Sequence, residues 1–473
     1  METALLVLTL VFGFYMTWNI GANDVANAMG TSVGSKALTL KKAVILAAIL
    51  EFAGAFLVGS DVSETIQSGI LDLSAFAFNP TILAIGMISA LLGTGIWLQL
   101  ASYFGWPVST THSIIGALFG FGLVIAGPAT IHWSKISYIA ISWILSPLIG
   151  ATISYLVFIV IQRKILFSAT PLRATRKLAP AFIFFSFFIF GLGLFAGGLK
   201  RLHLDFTFTQ ALGLSVLLGA LAALFSGLFF KNKVKASTED ELEKQQVDYQ
   251  LLRGLNKSIK HLRRAKTRAI GELHIDVNGM LKKLSLAAHN AKKQMSLQVT
   301  SHQHNQVEKT FGYLQILSAC FVAFAHGAND VANAIGPMAA ILAIIKHKTV
   351  AAAAQTPLWL LALGGAGIVV GLMTWGWRVI ETIGKKITDL TPTRGFAAEI
   401  SAATTILLAS KLGLPISTTH TLIGAVLGVG LARGIGALNL GVLKDIAAAW
   451  IITIPAGAVF TIITYFILKP LFI

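Results

Sequence analysis

Apolar residues run along this chain in long stretches, and each stretch approaches the length that a helix needs to cross a lipid bilayer. The stretches cover residues 43–59, 81–101, 136–161, 179–199, 211–230 and 446–468. About 20 apolar residues in a helix span the hydrocarbon core, and a spanning segment must satisfy its own backbone hydrogen bonds there. The pattern therefore predicts an all-α, polytopic, multi-pass membrane protein.

The composition supports this class and excludes others. Of the 473 residues, 55% are apolar and 12% are charged, whereas a soluble domain carries about a quarter of its residues as charges. The single cysteine, Cys320, excludes an intrachain disulfide or a thiolate metal cage. The sequence has no ATP-binding Gly-x-x-x-x-Gly-Lys-Ser/Thr loop, no nucleophile elbow and no His-rich metal cluster. We therefore expect no cofactor and predict a secondary transporter rather than an enzyme.

Charge divides the chain into three regions: apolar 1–230, polar 231–310 and apolar 311–473. The middle region carries 16 Lys and Arg against 8 Asp and Glu, a large part of the net charge of +17. Basic loops of membrane proteins face the cytoplasm, so we predict a cytoplasmic loop and no nucleic-acid binding. Apolar residues at helical spacing predict amphipathic helices within it. A solvated linker, contact with anionic lipid and binding of a partner all stay open for this region.

An internal repeat relates the two apolar regions. Residues 21–28 read Gly-Ala-Asn-Asp-Val-Ala-Asn-Ala and recur unchanged at residues 327–334. Residues 107–112 read Pro-Val-Ser-Thr-Thr-His and recur at residues 415–420 with Ile in place of Val. The two motifs start 86 residues apart in the first copy and 88 in the second. The chain is a duplicated unit, which in transporters places the binding site between the copies. The sequence alone leaves open whether the copies are parallel or inverted.

The first motif places one carboxylate and two carboxamides inside apolar sequence, where a charge is costly unless it is compensated. The flanking Gly and Ala residues are small enough to let another helix approach closely. Carboxylate and carboxamide oxygens suit a hard cation such as Na⁺. The motif therefore predicts cation coordination or proton handling, with polar helix packing as the alternative. The candidate residues are Asn23, Asp24, Asn27, Asn329, Asp330 and Asn333.

The second motif has the composition of a helix start. Proline suits the first turn, and Ser and Thr beside it are capping residues with free hydroxyls. The N–H groups and partial positive charge of a helix N-terminus favour an anion. Two such starts facing each other would surround a tetrahedral oxyanion without Lys or Arg, and ordinary N-caps are the alternative. The candidate oxyanion ligands are Ser109, Thr110, Thr111, Ser417, Thr418 and Thr419.

Four further residues are candidates for coupling or gating. Glu51 and Glu399 are single carboxylates in apolar runs. Each would bind the coupling ion, relay a proton or gate the pathway, unless it is a neutral acid hydrogen-bonded between helices. His112 and His420 close the second motif, and each would either donate to the anion or cap a neighbour. The first motif also differs between copies at one flanking position, where His326 replaces Ile20.

At these residues the chain resembles the inorganic phosphate transporter (PiT) family, also known as the sodium/phosphate symporter family. The family signature is the paired Asn-Asp and Pro-x-Ser-Thr-Thr-His segments, and the resemblance covers both apolar regions. It implies two inverted repeats with discontinuous or hairpin segments, about a dozen membrane segments, a cytoplasmic central loop and often a homodimer. By position it assigns the first motif to the cation and the second to phosphate. Glu51 and Glu399 match functionally sensitive membrane glutamates of the family.

We therefore predict secondary active transport of inorganic phosphate by cation symport in the plasma (inner) membrane. Na⁺ is favoured over H⁺ because the constellation of Asn and Asp oxygens is not needed for proton coupling. Sulfate is also a tetrahedral oxyanion, and an anion channel or a receptor-like sensor would use the same kind of site, so these alternatives stay open. An acceptor for the substrate O–H, such as Asp24 or Glu51, would favour phosphate over sulfate.

Overall fold

A computed structural model of the chain describes residues 1–59, 61–168, 170–198, 204–268, 270–350, 356–380, 390–434 and 440–473. Within these ranges the secondary structure is helical, apart from one isolated antiparallel bridge between Leu71 and Ile131. The all-α prediction is therefore confirmed for the described part of the chain.

Fifteen helices, numbered in chain order, carry the fold within these ranges. The first seven are α1 Glu2–Asn23, α2 Val25–Gly34, α3 Leu40–Val58, α4 Asp61–Ser68, α5 Pro80–Tyr103, α6 Thr110–Phe121 and α7 Trp133–Ile161. The next three are α8 Pro171–Gly193, α9 Phe208–Lys266 and α10 Glu272–Asp330. The last five are α11 Ala332–His347, α12 Leu358–Trp375, α13 Pro392–Lys411, α14 Thr418–Arg433 and α15 Leu440–Leu468.

Eight helical segments of the described chain are long and apolar enough to cross a membrane, or nine if the bent pair of α3 and α4 counts as one span. The helical segment Thr110–Ala126, which consists of α6 and its continuation, is apolar but shorter. The chain is thus an integral, multi-pass membrane protein. The expected dozen segments and the inversion of the repeats stay predictions.

In both copies, glycines with positive φ precede the second motif and follow the helix that it starts. Gly105 and Gly413, two residues before the motif proline, have φ of 68° and 65°. Gly127 and Gly434, which follow the helices that the motifs start, have φ of 89° and 106°. Only glycine adopts these angles without strain. The duplication seen in the sequence is therefore also a duplication of backbone conformation.

The helices of one copy pack directly on those of the other. A Cβ on Gly21 of α1 would lie 1.9 Å from the Ile368 carbonyl oxygen on α12, and one on Gly327 of α10 would lie 2.2 Å from the Glu51 carbonyl oxygen on α3. The same relation holds one turn away, where Gly371 faces the Trp18 carbonyl and Gly54 faces the Phe324 carbonyl. These are backbone-to-backbone contacts that a side chain would prevent. Small residues thus bring the first motif of each copy against a helix of the other copy.

The helices that start at the second motif also pack on helices of the other copy. A Cβ on Gly116 of α6 would lie 2.4 Å from the Ile454 carbonyl oxygen on α15, and one on Gly424 of α14 would lie 2.3 Å from the Pro147 carbonyl oxygen on α7. Each copy therefore contributes one wall of the other copy's motif helix. This interleaving brings all four motifs into the same compact unit.

Residues Met1–Gln162, Phe184–Ala220 and Phe311–Ile473 form that unit. Residues Arg163–Ile183 and Leu221–Thr310 form a second one. In the second unit, the Lys266 ammonium donates to the Asn278 carboxamide at 2.7 Å, close to the turn between α9 and α10. Helix occupies much of the polar region 231–310, and its assignment as a cytoplasmic loop stays a prediction.

Candidate functional site

The two motif aspartates share a buried cluster of threonine hydroxyls. Thr110 donates to Asp24 at 2.7 Å, and the same hydroxyl lies 3.4 Å from Asp330. Thr418 donates to Asp330 at 2.9 Å, and Thr419 lies 3.2 Å from the other oxygen of Asp24. Both aspartates are at most 1% exposed. Two carboxylates beside one hydroxyl cannot both be ionised in a buried place unless a cation or a proton compensates them.

Two carboxamides of the first motif complete this cluster. Asn27 donates to the Thr419 hydroxyl at 2.8 Å, and Asn333 donates to the hydroxyls of Thr110 and Thr111, both at 3.1 Å. Their nitrogens are therefore occupied, while their carboxamide oxygens have no hydrogen-bond partner within the described residues. One oxygen of Asp330 is unpartnered in the same way. Unsatisfied buried oxygens at this spot fit the ligand set of a hard cation.

The remaining carboxamides connect each first motif to the last turn of the helix that precedes the second motif. Asn23 donates to the Ser102 hydroxyl at 3.0 Å and accepts from the Val108 N–H at 3.3 Å. Asn329 donates to the Ser410 hydroxyl at 2.9 Å, and its oxygen is unpartnered in the described structure. The sequence predicts these two residues as cation ligands. The structure gives them tethering contacts, and a cation at Asn23 would share its oxygen with Val108.

The second motifs start helices as their sequence predicts. Ser109 accepts from the His112 N–H at 3.2 Å, and Ser417 accepts from the His420 N–H at 3.1 Å, so both serines are N-caps. The N–H groups ahead of these capped positions have no intrahelical acceptor. Two hydrogen bonds cross between the N-terminal ends of α6 and α14. Thr111 donates to the Ile416 carbonyl at 3.0 Å, and Thr419 donates to the Val108 carbonyl at 3.2 Å. The two helix N-termini therefore face each other across the repeat interface.

Glu51 belongs to the same polar centre through a histidine. His326 Nδ1 lies 2.6 Å from Glu51 Oε2, and its Nε2 lies 3.1 Å from Asp330 Oδ2, although that second contact lacks hydrogen-bond direction. The counterparts of Glu51 and His326 in the other copy are Ile368 and Ile20, as the equivalent glycine contacts show. One half of the cluster therefore has an acid–imidazole pair where the other half is apolar. Sequence reasoning noted His326 but did not pair it with Glu51.

Glu399 lies in a second buried polar cluster. Its Oε1 accepts from Thr31 at 2.5 Å, from Ser32 at 2.7 Å and from Gln315 at 3.1 Å. Its Oε2 accepts from Ser318 at 2.6 Å. The four donors come from α2 and α10, and sequence reasoning missed them. The sequence contains one signal for this cluster, because hydroxyl and amide residues lie within apolar helices close to the first motifs.

His112 and His420 contact each other. Their ring centroids are 4.3 Å apart, and the planes are nearly perpendicular. The four motifs, Glu51 and the histidine pair thus converge at the interface of the two copies. In this structure, Glu399 has its own set of donors.

A duplicated, multi-pass membrane protein with a buried polar site between its two copies has the architecture of the class of membrane transporters. The sequence profile of the phosphate transporter family matches residues 20–461, and the chain belongs to this family. The family is one of transporters and not of enzymes.

Individual relatives agree with this membership. The chain is 45% identical over 96% of its length to the chloroplastic inorganic phosphate transporter 2-1 of Arabidopsis thaliana, of which it covers 70%. It is 44% identical to a candidate phosphate permease of Chlamydia pneumoniae, with 99% of both chains covered. Among solved structures, a sodium-dependent phosphate transporter matches with a TM-score of 0.76 and 36% identity over 99% of both chains.

Proposed function

We propose that this chain carries inorganic phosphate across the membrane together with a cation, and that Na⁺ is preferred over H⁺. The observation that carries the proposal is the pair of buried aspartates, with unpartnered carboxamide oxygens, beside two opposed helix starts. The similar solved structure is that of a sodium-dependent phosphate transporter, which supports the choice of ion.

The cation would bind between the motifs of the two copies. Asp24, Asp330, Asn27 and Asn333 offer oxygens there, and Asn23 and Asn329 lie next to them. In the described structure the aspartates are contacted by hydroxyls, carboxamides and one histidine, so an external cation would supply most of the compensating charge. Asn oxygens add ligands that Na⁺ needs and that a proton does not.

Phosphate would bind at the facing N-termini of α6 and α14. Ser109, Thr110, Ser417 and Thr418 begin the two segments, and Thr111 and Thr419 follow them. Their hydroxyls and the first backbone N–H groups are neutral donors, which hold an oxyanion without a full countercharge and so allow its release. The nearby carboxylates repel phosphate until a cation neutralises them. This dependence gives a physical reason for coupled transport.

Hydrogen phosphate is favoured over sulfate because it carries an O–H. Asp24 and Asp330 accept from threonine hydroxyls in this structure, and either is able to accept from a substrate O–H instead. Sulfate has no such proton at neutral pH, so it forgoes this hydrogen bond to a charged acceptor, which is worth about 1.5–3 kcal/mol. A preference of roughly tenfold or more for phosphate follows from that loss.

Uptake of radiolabelled phosphate into proteoliposomes tests the proposal. We expect accumulation driven by an inward Na⁺ gradient, weak uptake when K⁺ replaces Na⁺, and poor competition by sulfate. A pH gradient imposed without Na⁺ identifies proton coupling if it drives uptake equally well. A phosphate current without accumulation would instead favour an anion channel, and binding without accumulation would favour a receptor-like sensor.

We further propose that the two copies are inverted with respect to the membrane. Lys36 and Lys348 occupy similar places, because each is an exposed residue with positive φ at the end of the helix that follows the first motif. In a Cys320→Ala background, Lys36→Cys and Lys348→Cys should react with an impermeant thiol reagent from opposite sides of the membrane. Reaction of both cysteines from the same side would show that the copies are parallel.

A further inference from the structure

Four aromatic rings form a continuous row across the repeat interface. The ring centroids of Trp143 and His112 are 3.9 Å apart, those of His112 and His420 are 4.3 Å apart, and those of His420 and Trp450 are 3.6 Å apart. Each copy supplies one His and one Trp. Trp143 lies four residues before Pro147 and Trp450 lies four before Ile454, the two positions whose carbonyls contact equivalent glycines. The row therefore follows the pseudo-symmetry of the repeats.

Several polar atoms of this row lack a partner. Both ring nitrogens of His112, the Nε2 of His420 and the indole N–H of Trp450 have no hydrogen bond to any described residue, and the Ser113 hydroxyl is in the same condition. The two histidines are only 4% exposed. Buried polar groups are paired in most proteins, and a concentration of unpaired ones indicates a missing polar partner. Trp143 differs, because its indole N–H donates to the Pro415 carbonyl at 3.2 Å.

The histidine pair lies on the side of the helix starts away from the aspartates. Successive residues of a helix are about 100° apart around its axis. Thr110, whose hydroxyl contacts both aspartates, is therefore roughly 200° from His112. The same spacing separates Thr418 from His420 in the other helix. The facing N-termini thus have carboxylates on one side and imidazoles on the other.

We propose that His112 and His420, flanked by Trp143 and Trp450, form a second phosphate station through which the anion leaves the cation site. The inference rests on the proposed phosphate transport and adds a step to it. A neutral imidazole has one N–H donor and one acceptor, which match the P–O⁻ and P–OH groups of hydrogen phosphate. The rings touch each other in this structure, so the station is closed here and opens when the two rings part.

Two double variants test this station. His112→Phe with His420→Phe keeps the rings and removes their nitrogens, whereas His112→Gln with His420→Gln keeps polar groups and removes the rings. We expect the Phe pair to lower Na⁺-driven phosphate uptake about tenfold to a hundredfold, since it removes two hydrogen-bonding groups. Equilibrium binding of phosphate in Na⁺ should change by less than about threefold, because the first station remains. The Gln pair should retain more uptake than the Phe pair.

The outcomes separate this inference from the proposed function. Wild-type uptake by the Phe pair, or equal loss in both pairs, would overturn the station, as would a joint loss of binding and uptake. Failure of the wild-type protein to accumulate phosphate would instead refute the proposed function. Phe311→Leu, which removes a buried ring from the Phe311–Phe396 contact, is the packing control and should keep its rate per folded molecule. If the Phe pair does not fold, Trp450→Phe removes one unpartnered N–H while keeping the stack, and should lower uptake; an unchanged rate would overturn the station.

Discussion

Asp24→Asn and Asp330→Asn should each lower Na⁺-driven phosphate uptake by about a hundredfold or more while the protein still inserts and folds. The change keeps the size of each side chain and removes the charge that we propose holds the cation. Breaking a buried charge contact by removing one partner costs about 3–5 kcal/mol, which corresponds to more than a hundredfold in binding. Initial uptake rates in proteoliposomes at saturating phosphate, across a range of Na⁺ concentrations, measure the effect.

Asp72→Asn is the matched control for these variants. Asp72 caps the short helix Leu73–Phe76, and hydrogen bonds from the Ser74 hydroxyl and N–H hold the pKa of its carboxyl below the ordinary value. Its cap therefore contributes stability at neutral pH and loses it only as the pH falls through that lowered pKa. Uptake should be unchanged in this variant. Wild-type rates in both Asp24→Asn and Asp330→Asn would refute the role assigned to the aspartate pair.

Gly327→Ala should destabilise the protein and disable transport together. A Cβ at this position would lie 2.2 Å from the Glu51 carbonyl oxygen, so α10 and α3 must move apart. Forcing extra atoms into a packed contact costs about 1–3 kcal/mol or more. The shift would also displace Asp330 and the pair of His326 and Glu51. We expect a lower Tm in detergent together with reduced uptake.

Gly312→Ala is the control on the same helix. Nothing lies within 4 Å of a Cβ built there, and alanine favours a helix over glycine by about 1 kcal/mol. This variant should be as stable as the wild-type protein, or more stable, and should transport normally. A Gly327→Ala protein with unchanged Tm and uptake would show that the close contact of the two backbones is not needed.

The two halves of the site are not equivalent, although their motifs are identical. His326 and Glu51 add an acid–imidazole pair beside Asp330, while Ile20 and Ile368 occupy the matching places near Asp24. Similarly, Glu399 corresponds by position to Leu91, since Ser410 and Ser102 hold equivalent asparagines. The duplicated scaffold therefore carries each polar cluster at only one of two equivalent positions, although residues of both copies build it. Asp24 and Asp330 are consequently expected to contribute unequally to cation binding.

The sequence by itself determined the class of the protein and the chemistry of its motifs. The length of an apolar stretch indicates a membrane span, because a helix needs about 20 apolar residues to cross the bilayer. Asp24, Asp330 and the threonines stand out because polar residues are costly in such segments. The resemblance to the phosphate transporter family, confirmed by the match over residues 20–461, rests on the same motifs.

Only the tertiary structure decided which residues meet. Glu51 and His326 are 275 residues apart in the chain, Thr31 and Glu399 are 368 apart, and His112 lies against His420. Such contacts leave no periodicity or spacing in the sequence, because they depend on how glycine faces of one copy dock on backbone carbonyls of the other. The local sequence pattern shows which residues of each helix can be buried. The packing of the two copies determines which residues each buried polar group contacts.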